Sequence, residues 1–102
     1  MLSVEDAEYI DGYRLRITFS DGRTGVVNLE RMAHEDRRPI FAALKDSKSF
    51  KDFRIDFNTV CWSNGLDLAP EYLYYLAFHA DRDLQAQFAE WGYSSAEVLT
   101  KV

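Results

Sequence analysis

The side chains with the most chemical reach lie between residues 56 and 83. Asp56, Asp67 and Glu71, brought together, would make a carboxylate set for acid–base work or oxygen ligands for a hard cation. Their spacing repeats no ligand or catalytic pattern, and each has a plainer station on a strand face, in a turn and in a helix first turn. His79 and Asp83 stand four apart and share a helical face only if the helix runs on through Ala80. His34 sits in a remote charged stretch, so the two histidines make no metal cluster. Cys61 lies in an apolar strand beside Trp62, where a thiol behaves as a small hydrophobe and lacks the electropositive setting of a nucleophile. Ser20, Ser63 and Ser94 fall in turn or cap contexts, outside any nucleophile-elbow sequence. Gly12, Gly22 and Gly65 are isolated turn residues and Gly92 is a helix stop, so no phosphate-cradling loop is present. The sequence assigns no catalytic residue, no cofactor and no metal ligand, which leans away from an enzyme.

Two binding constellations remain. Around the turn at Asn64-Gly65, Trp62 would stack a planar ligand while Asn64, Asp67 and Glu71 orient it. Arg14 and Arg16, with Arg23 nearby, would form a small basic stripe on the outer face of a hairpin, the first place to look for nucleic-acid contact. Composition opposes that stripe. Seventeen acidic residues against 12 basic ones give a net charge of −5, which disfavours phosphate-backbone binding and suits a basic protein partner. One cysteine excludes an internal disulfide and a multi-cysteine zinc site. The start Met1-Leu-Ser-Val-Glu-Asp6 lacks the pattern of a signal peptide, and no segment approaches the ~20 apolar residues of a membrane helix. The expectation is a cytoplasmic protein without membrane attachment.

The elements that must position these residues follow from periodicity. Val4 to Ile10 is an expected strand, closed by Asp11-Gly12. Tyr13, Leu15, Ile17 and Phe19 alternate with Arg14, Arg16 and Thr18, the period of a half-buried strand. Its return partner, ending at Leu29, completes a hairpin over 13–29. A three-residue loop, Ser20-Asp21-Gly22, sets Val27 opposite Leu15 and Leu29 opposite Tyr13. A two-residue loop would turn Val27 and Leu29 to the arginine face. Met32 to Arg38 is polar and is predicted to be an exposed loop. Pro39 opens a short helix with Ile40, Phe41 and Leu44 inward, and Ser47 caps another turn that packs Phe50. Phe53, Ile55 and Phe57 alternate as a strand near 53–57. Asn58-Thr59 turns the chain into another strand near 60–63.

Pro70 and Glu71 begin a helix near 70–79, in which Tyr72, Leu73, Tyr74, Tyr75, Leu76, Ala77 and Phe78 leave no polar side. Such a helix must be covered on more than one side. The sheet supplies one cover. C-terminal helices near 82–91, with Leu84, Phe88 and Trp91 at helical spacing, and near 95–101, behind the capping box Ser94-Ser95-Ala96-Glu97, offer another, unless a second copy or a partner does. The fold class is α+β, a small antiparallel sheet of four to five strands in a single domain over 1–102. Residues 1–79 form its core and 80–102 a helical extension. At 47% hydrophobic and 102 residues there is enough core material for one domain.

Taken in order, Tyr13-Arg-Leu, Phe19-Ser-Asp-Gly22, Val27-Asn-Leu29, Phe41-Ala-Ala-Leu-Lys-Asp46, Phe50 and above all Trp62-Ser-Asn-Gly-Leu-Asp-Leu-Ala-Pro-Glu-Tyr-Leu-Tyr74 resemble the bacterial domain of unknown function 2442 over roughly residues 2–76. Ser63 departs from that pattern, which carries proline before Asn-Gly. The resemblance implies a small α+β domain and brings no activity or catalytic residue. Some members look like the antitoxin half of a toxin–antitoxin pair, and others carry an appended helix-turn-helix domain, for which the tail here is too short.

The leading expectation is therefore a non-enzymatic protein-interaction module, antitoxin-like with a small basic toxin as partner, or self-associating as a homodimer. Its contacts would be Tyr72, Tyr75 and Phe78, with Leu84, Phe88 and Trp91 covering them or extending the surface. A ligand-binding domain or enzyme at the Trp62–Glu71 turn is the alternative, and a nucleic-acid-binding module the weaker one.

Overall fold

The computed structural model describes residues 1–93, so the helix expected near 95–101 lies outside the described residues. Three antiparallel strands, β1 (Val4–Asp11), β2 (Arg14–Phe19) and β3 (Thr24–Asn28), form one sheet in that order. The register is the one demanded by the apolar alternation: Leu15 faces Val27, and the Leu29 N–H donates to the Tyr13 C=O at 2.9 Å. Gly22 takes φ +90° at the left-handed position of the loop. Leu15, Ile17, Phe19, Val27 and Leu29 are buried together on the inner face.

After β3 the chain departs from expectation. Met32–Arg38 is not a loop throughout, because α1 (Glu30–Glu35) occupies its first half. The Asn28 side chain accepts from the Glu30 N–H at 2.9 Å and starts the turn, while Ala33 is fully buried. A 3₁₀ turn over Pro39–Lys45 buries Phe41 and Leu44 but leaves Ile40 exposed. α2 (Ser47–Lys51) buries Phe50 and is capped by Asp46 rather than Ser47.

The remaining strands, β4 (Phe53–Asp56) and β5 (Thr59–Trp62), pair as a separate two-stranded sheet beside β1, linked to it by the Val4 N–H to Asn58 C=O bond at 2.9 Å. Their turn is Phe57-Asn58, one residue earlier than expected, with φ +52° and +66° at its central positions. This is the type I′ arrangement that matches strand twist. Phe57 is consequently 80% exposed, and the alternating apolar face expected for this strand is lost.

Helix α3 (Pro70–Phe78) lies on the sheet at β3, and α4 (Gln85–Trp91) folds back on it after a 3₁₀ turn over Arg82–Leu84. Gly25 permits the first contact. A Cβ there would stand 2.9 Å from the Ala77 Cβ and from the Phe78 ring. No helix among the described residues is long and apolar enough to cross a membrane.

Candidate functional site

The segment after β5 turns back on itself by fixed geometry. Gly65 donates its N–H to the Trp62 C=O at 3.1 Å and adopts φ +93°. The chain then returns along β5, with the Trp62 N–H on the Leu66 C=O at 2.8 Å and the Thr59 hydroxyl on the Leu68 C=O. This places Gly65 to Ala69 along one wall of a cleft of about 900 Å³. α1 and the Asp36–Phe41 stretch form the opposite wall, and Tyr72, Leu76 and Tyr93 form the end.

The floor is apolar and the rim charged. Leu29, Leu66 and Leu68 are buried beneath the half-buried Met32, Tyr72 and Leu76. On the rim Arg38 holds Asp36 with two hydrogen bonds, 3.0 and 2.7 Å, and lies 4.7 Å above the Phe41 ring. That hydrogen bonding holds the Asp36 carboxyl below the usual carboxylate range. Burial pushes the Tyr72 and Tyr93 hydroxyls up; the neighbouring tyrosine and Asp36 reinforce this for Tyr72, and Glu71 does for Tyr93. Both tyrosines therefore stay neutral donors at ordinary pH.

The two residue sets expected from the sequence divide at this cleft. Tyr75 is not a surface residue but core, 1% exposed, and Phe88, fully buried, covers it as one of the two expected arrangements has it, with the rings 5.0 Å apart edge to face. The correction has a simple cause: α4 supplies the second cover for α3. Phe78, Leu84 and Trp91 are half-buried against the same core, and only Tyr72 and the edge of Tyr75 reach the cleft. Trp62 cannot stack a ligand. It is 3% exposed and donates its indole N–H to the Phe50 C=O at 2.9 Å. Asn64 is structural as well, donating to the Ile40 C=O at 2.8 Å and accepting from the Leu66 N–H, so it ties the turn to the 3₁₀ segment. Asp67 lines the cleft, whereas Glu71 stands beside Tyr93 outside its lining.

The other candidates stay apart. α3 ends at Phe78, so His79 and Asp83 share no helical face. Asp56 is an exposed strand residue in an ion pair with Arg54. Cys61 is buried, and burial and then the Asp67 and Asp56 carboxylates push its thiol up, opposite to nucleophile activation. Arg14 pairs with Asp11, Arg16 with Glu8 and Arg23 with Asp81, which neutralises the basic stripe. No group of three metal-ligating side chains assembles among the described residues. The residues missed from sequence are Met32 and the arginines of the Arg31–Arg38 wall. Leu29, Met32 and Ala33, at i, i+3 and i+4 behind the turn-forming Asn28, were the signal for the helix that presents them.

No curated protein matches this chain. A crystal structure from Nitrosomonas europaea ATCC 19718, of a protein described as a "putative DNA binding protein", is similar to it with a TM-score of 0.69 and 18% sequence identity. The match covers 96% of this chain and 65% of that one. At that identity the likeness shows the fold alone, and this chain spans less than two thirds of the other's length. The family described as "Protein of unknown function (DUF2442)" matches residues 4–79, from the first residue of β1 to the end of α3, and the chain belongs to that family.

Proposed function

We propose that the chain is a non-enzymatic protein-interaction module whose contact surface is the cleft beside α3. One observation carries this reading. Among the described residues the sheet and α4 bury Leu73, Tyr74 and Tyr75 of α3, while Tyr72 and Leu76 stay half-buried above an apolar floor within a charged rim. Tyr, Met and Arg, the residue types enriched where protein surfaces meet, make up much of that rim and floor. The antitoxin-like form of the reading takes a small basic protein as partner, and the self-associating form takes a second copy.

Affinity capture with the chain and with its Leu76→Glu variant, alongside the solution mass of each, tests the reading. A stoichiometric partner, or a dimer, that is lost in a folded Leu76→Glu variant supports it and separates the two forms. Capture and mass identical for both proteins defeat it. A second reading, a small ligand in the same cleft, is favoured by its volume, which falls in the range of ligand pockets. A thermal-stability panel of metabolites distinguishes this reading. Any stabilisation must vanish with Tyr72→Ala. DNA binding, suggested by the description of the Nitrosomonas protein, finds little support in arginines already paired with carboxylates.

A further inference from the structure

The two edges of the three-stranded sheet are finished differently. β1 carries Glu5, Asp6, Glu8 and Asp11, and its pairing slips between Val4 and Asp6 and again between Tyr9 and Asp11. Its outer side also abuts the β4–β5 hairpin. Charge, irregular pairing and cover are the devices that keep an edge from recruiting another strand. Among the described residues β3 has none of them. Thr24-Gly-Val-Val-Asn28 is uncharged and pairs with β2 in unbroken register. The Phe19 N–H donates to the Arg23 C=O and the Leu29 N–H to the Tyr13 C=O, so the odd-numbered residues of β3 turn their backbone groups towards β2. Alternation then directs the N–H and C=O of Thr24 and Val26 outward. No described backbone group bonds them there, and Val26 is 40% exposed.

Charge selects the occupant of this edge. Of the six arginines over residues 12–40, five are already held in ion pairs, Arg14 by Asp11, Arg16 by Glu8, Arg23 by Asp81, Arg31 by Glu35 and Arg38 by Asp36. Arg37 stands in the cleft wall, where the cleft begins at Asn28 at the end of β3, and has no ion pair among the described residues. A second copy would bring its own uncharged β3 and no carboxylate for Arg37. Nucleic acid would answer the charge but not the outward ladder groups, whose natural complement is a polypeptide backbone.

We propose that β3 receives an extended acidic segment of a partner protein as an added strand. The segment runs past Asn28 into the cleft and sets a carboxylate against Arg37. This deepens, and rests on, the cleft reading above. Fluorescence anisotropy of short labelled peptides alternating valine with glutamate, threonine or lysine, and of an oligothymidylate, tests it on the full chain. The glutamate peptide is expected to bind at least about tenfold tighter than the lysine peptide, with the gap narrowing as salt is added. Val26→Pro removes an N–H that β2 does not use, so the fold is retained while glutamate-peptide affinity falls at least about tenfold. Arg37→Glu touches no strand, and is expected to weaken the glutamate peptide and strengthen the lysine one even if Val26→Pro fails to fold. Equal binding of the three peptides, binding of none, or full affinity in a folded Val26→Pro variant overturns the proposal. Oligothymidylate binding at or above the glutamate peptide's affinity, indifferent to Val26→Pro, overturns it as well. A partner captured by Val26→Pro but lost by Leu76→Glu would leave the interaction reading standing and remove only the strand addition.

Discussion

The side of α3 that meets α4 and the side that meets the cleft are built from the same kinds of residue and finish in different states. On the closed side Tyr75 packs edge to face on Phe88 and stacks on Tyr93 with ring centroids 5.1 Å apart, while Tyr74 packs on Phe19 at 4.9 Å. Each ring has neighbours on several sides, and Tyr74 satisfies its hydroxyl on Asp21 at 2.7 Å. On the cleft side Tyr72 touches Tyr93 at 5.7 Å, but Leu76 beside it faces open volume. Residue type therefore does not distinguish core from contact surface in this helix. What distinguishes them among the described residues is whether the chain returns to cover the side, as α4 does over Tyr75.

The largest expected effect tests that difference directly. Phe88→Ala removes a fully buried ring from the closed side and should cost about 3–5 kcal/mol, lowering the melting temperature by more than about 10 °C. Tyr72→Ala on the cleft side should cost under about 1 kcal/mol beyond the loss of its partial burial. Denaturant melts of both variants decide the matter. Equal costs would mean that the cleft flank is core as much as the α4 side is.

A smaller but sharper effect belongs to the sheet contact. Gly25→Ala introduces a Cβ 2.9 Å from the Ala77 Cβ, which is fixed to the helix and cannot rotate away. Overpacking of this kind costs about 1–3 kcal/mol, outweighing the gain in strand propensity from replacing glycine. Unchanged stability in Gly25→Ala would show that α3 sits further from β3 than this contact implies.

How far the sequence reveals this arrangement depends on where each signal comes from. The 13–29 hairpin and its register were legible because alternation and a left-handed glycine agree on one pairing. That α3 needs two covers was legible from its apolar circumference, yet which residues provide the second cover was not, because the α4 contact is set by the path of the chain after Phe78. Trp62 beside a polar turn looked like a ligand platform. Its indole partner, the Phe50 C=O, lies 12 residues away and leaves no local trace. α1 was hard to see because its apolar face, Leu29, Met32 and Ala33, is short and framed by charges. The role of Gly25 required knowing which helix crosses that strand. Local rules missed α1 and misplaced the Phe57-Asn58 turn by one residue, and the misreadings of burial at Tyr75 and Trp62 fell where a long-range contact decides whether a side chain is covered.

The last test sharpens the comparison at the closed side's polar anchor on Asp21. Tyr74 is pushed up to about 12, by burial first and then by its hydrogen bond to Asp21, because a phenolate there would lose water and face a carboxylate. Its folded value lies above that of the unfolded chain, near the ordinary 10. The stability contributed by the neutral hydroxyl is thus fully present below about pH 10 and is lost as pH rises from there towards about 12. Tyr74→Phe keeps the ring packing and removes the hydroxyl, costing about 1 kcal/mol at neutral pH for the lost hydrogen bond. Both proteins lose stability in alkali through Tyr72 and Tyr93, which burial also raises, so the informative quantity is the difference between them. That difference should hold steady up to about pH 10 and shrink above it, because only the wild type has Tyr74 left to ionise. A difference that stays flat from pH 9 to 12 would mean that Tyr74 meets solvent as freely as in the unfolded chain, and that the helix's closed side is not closed at this anchor.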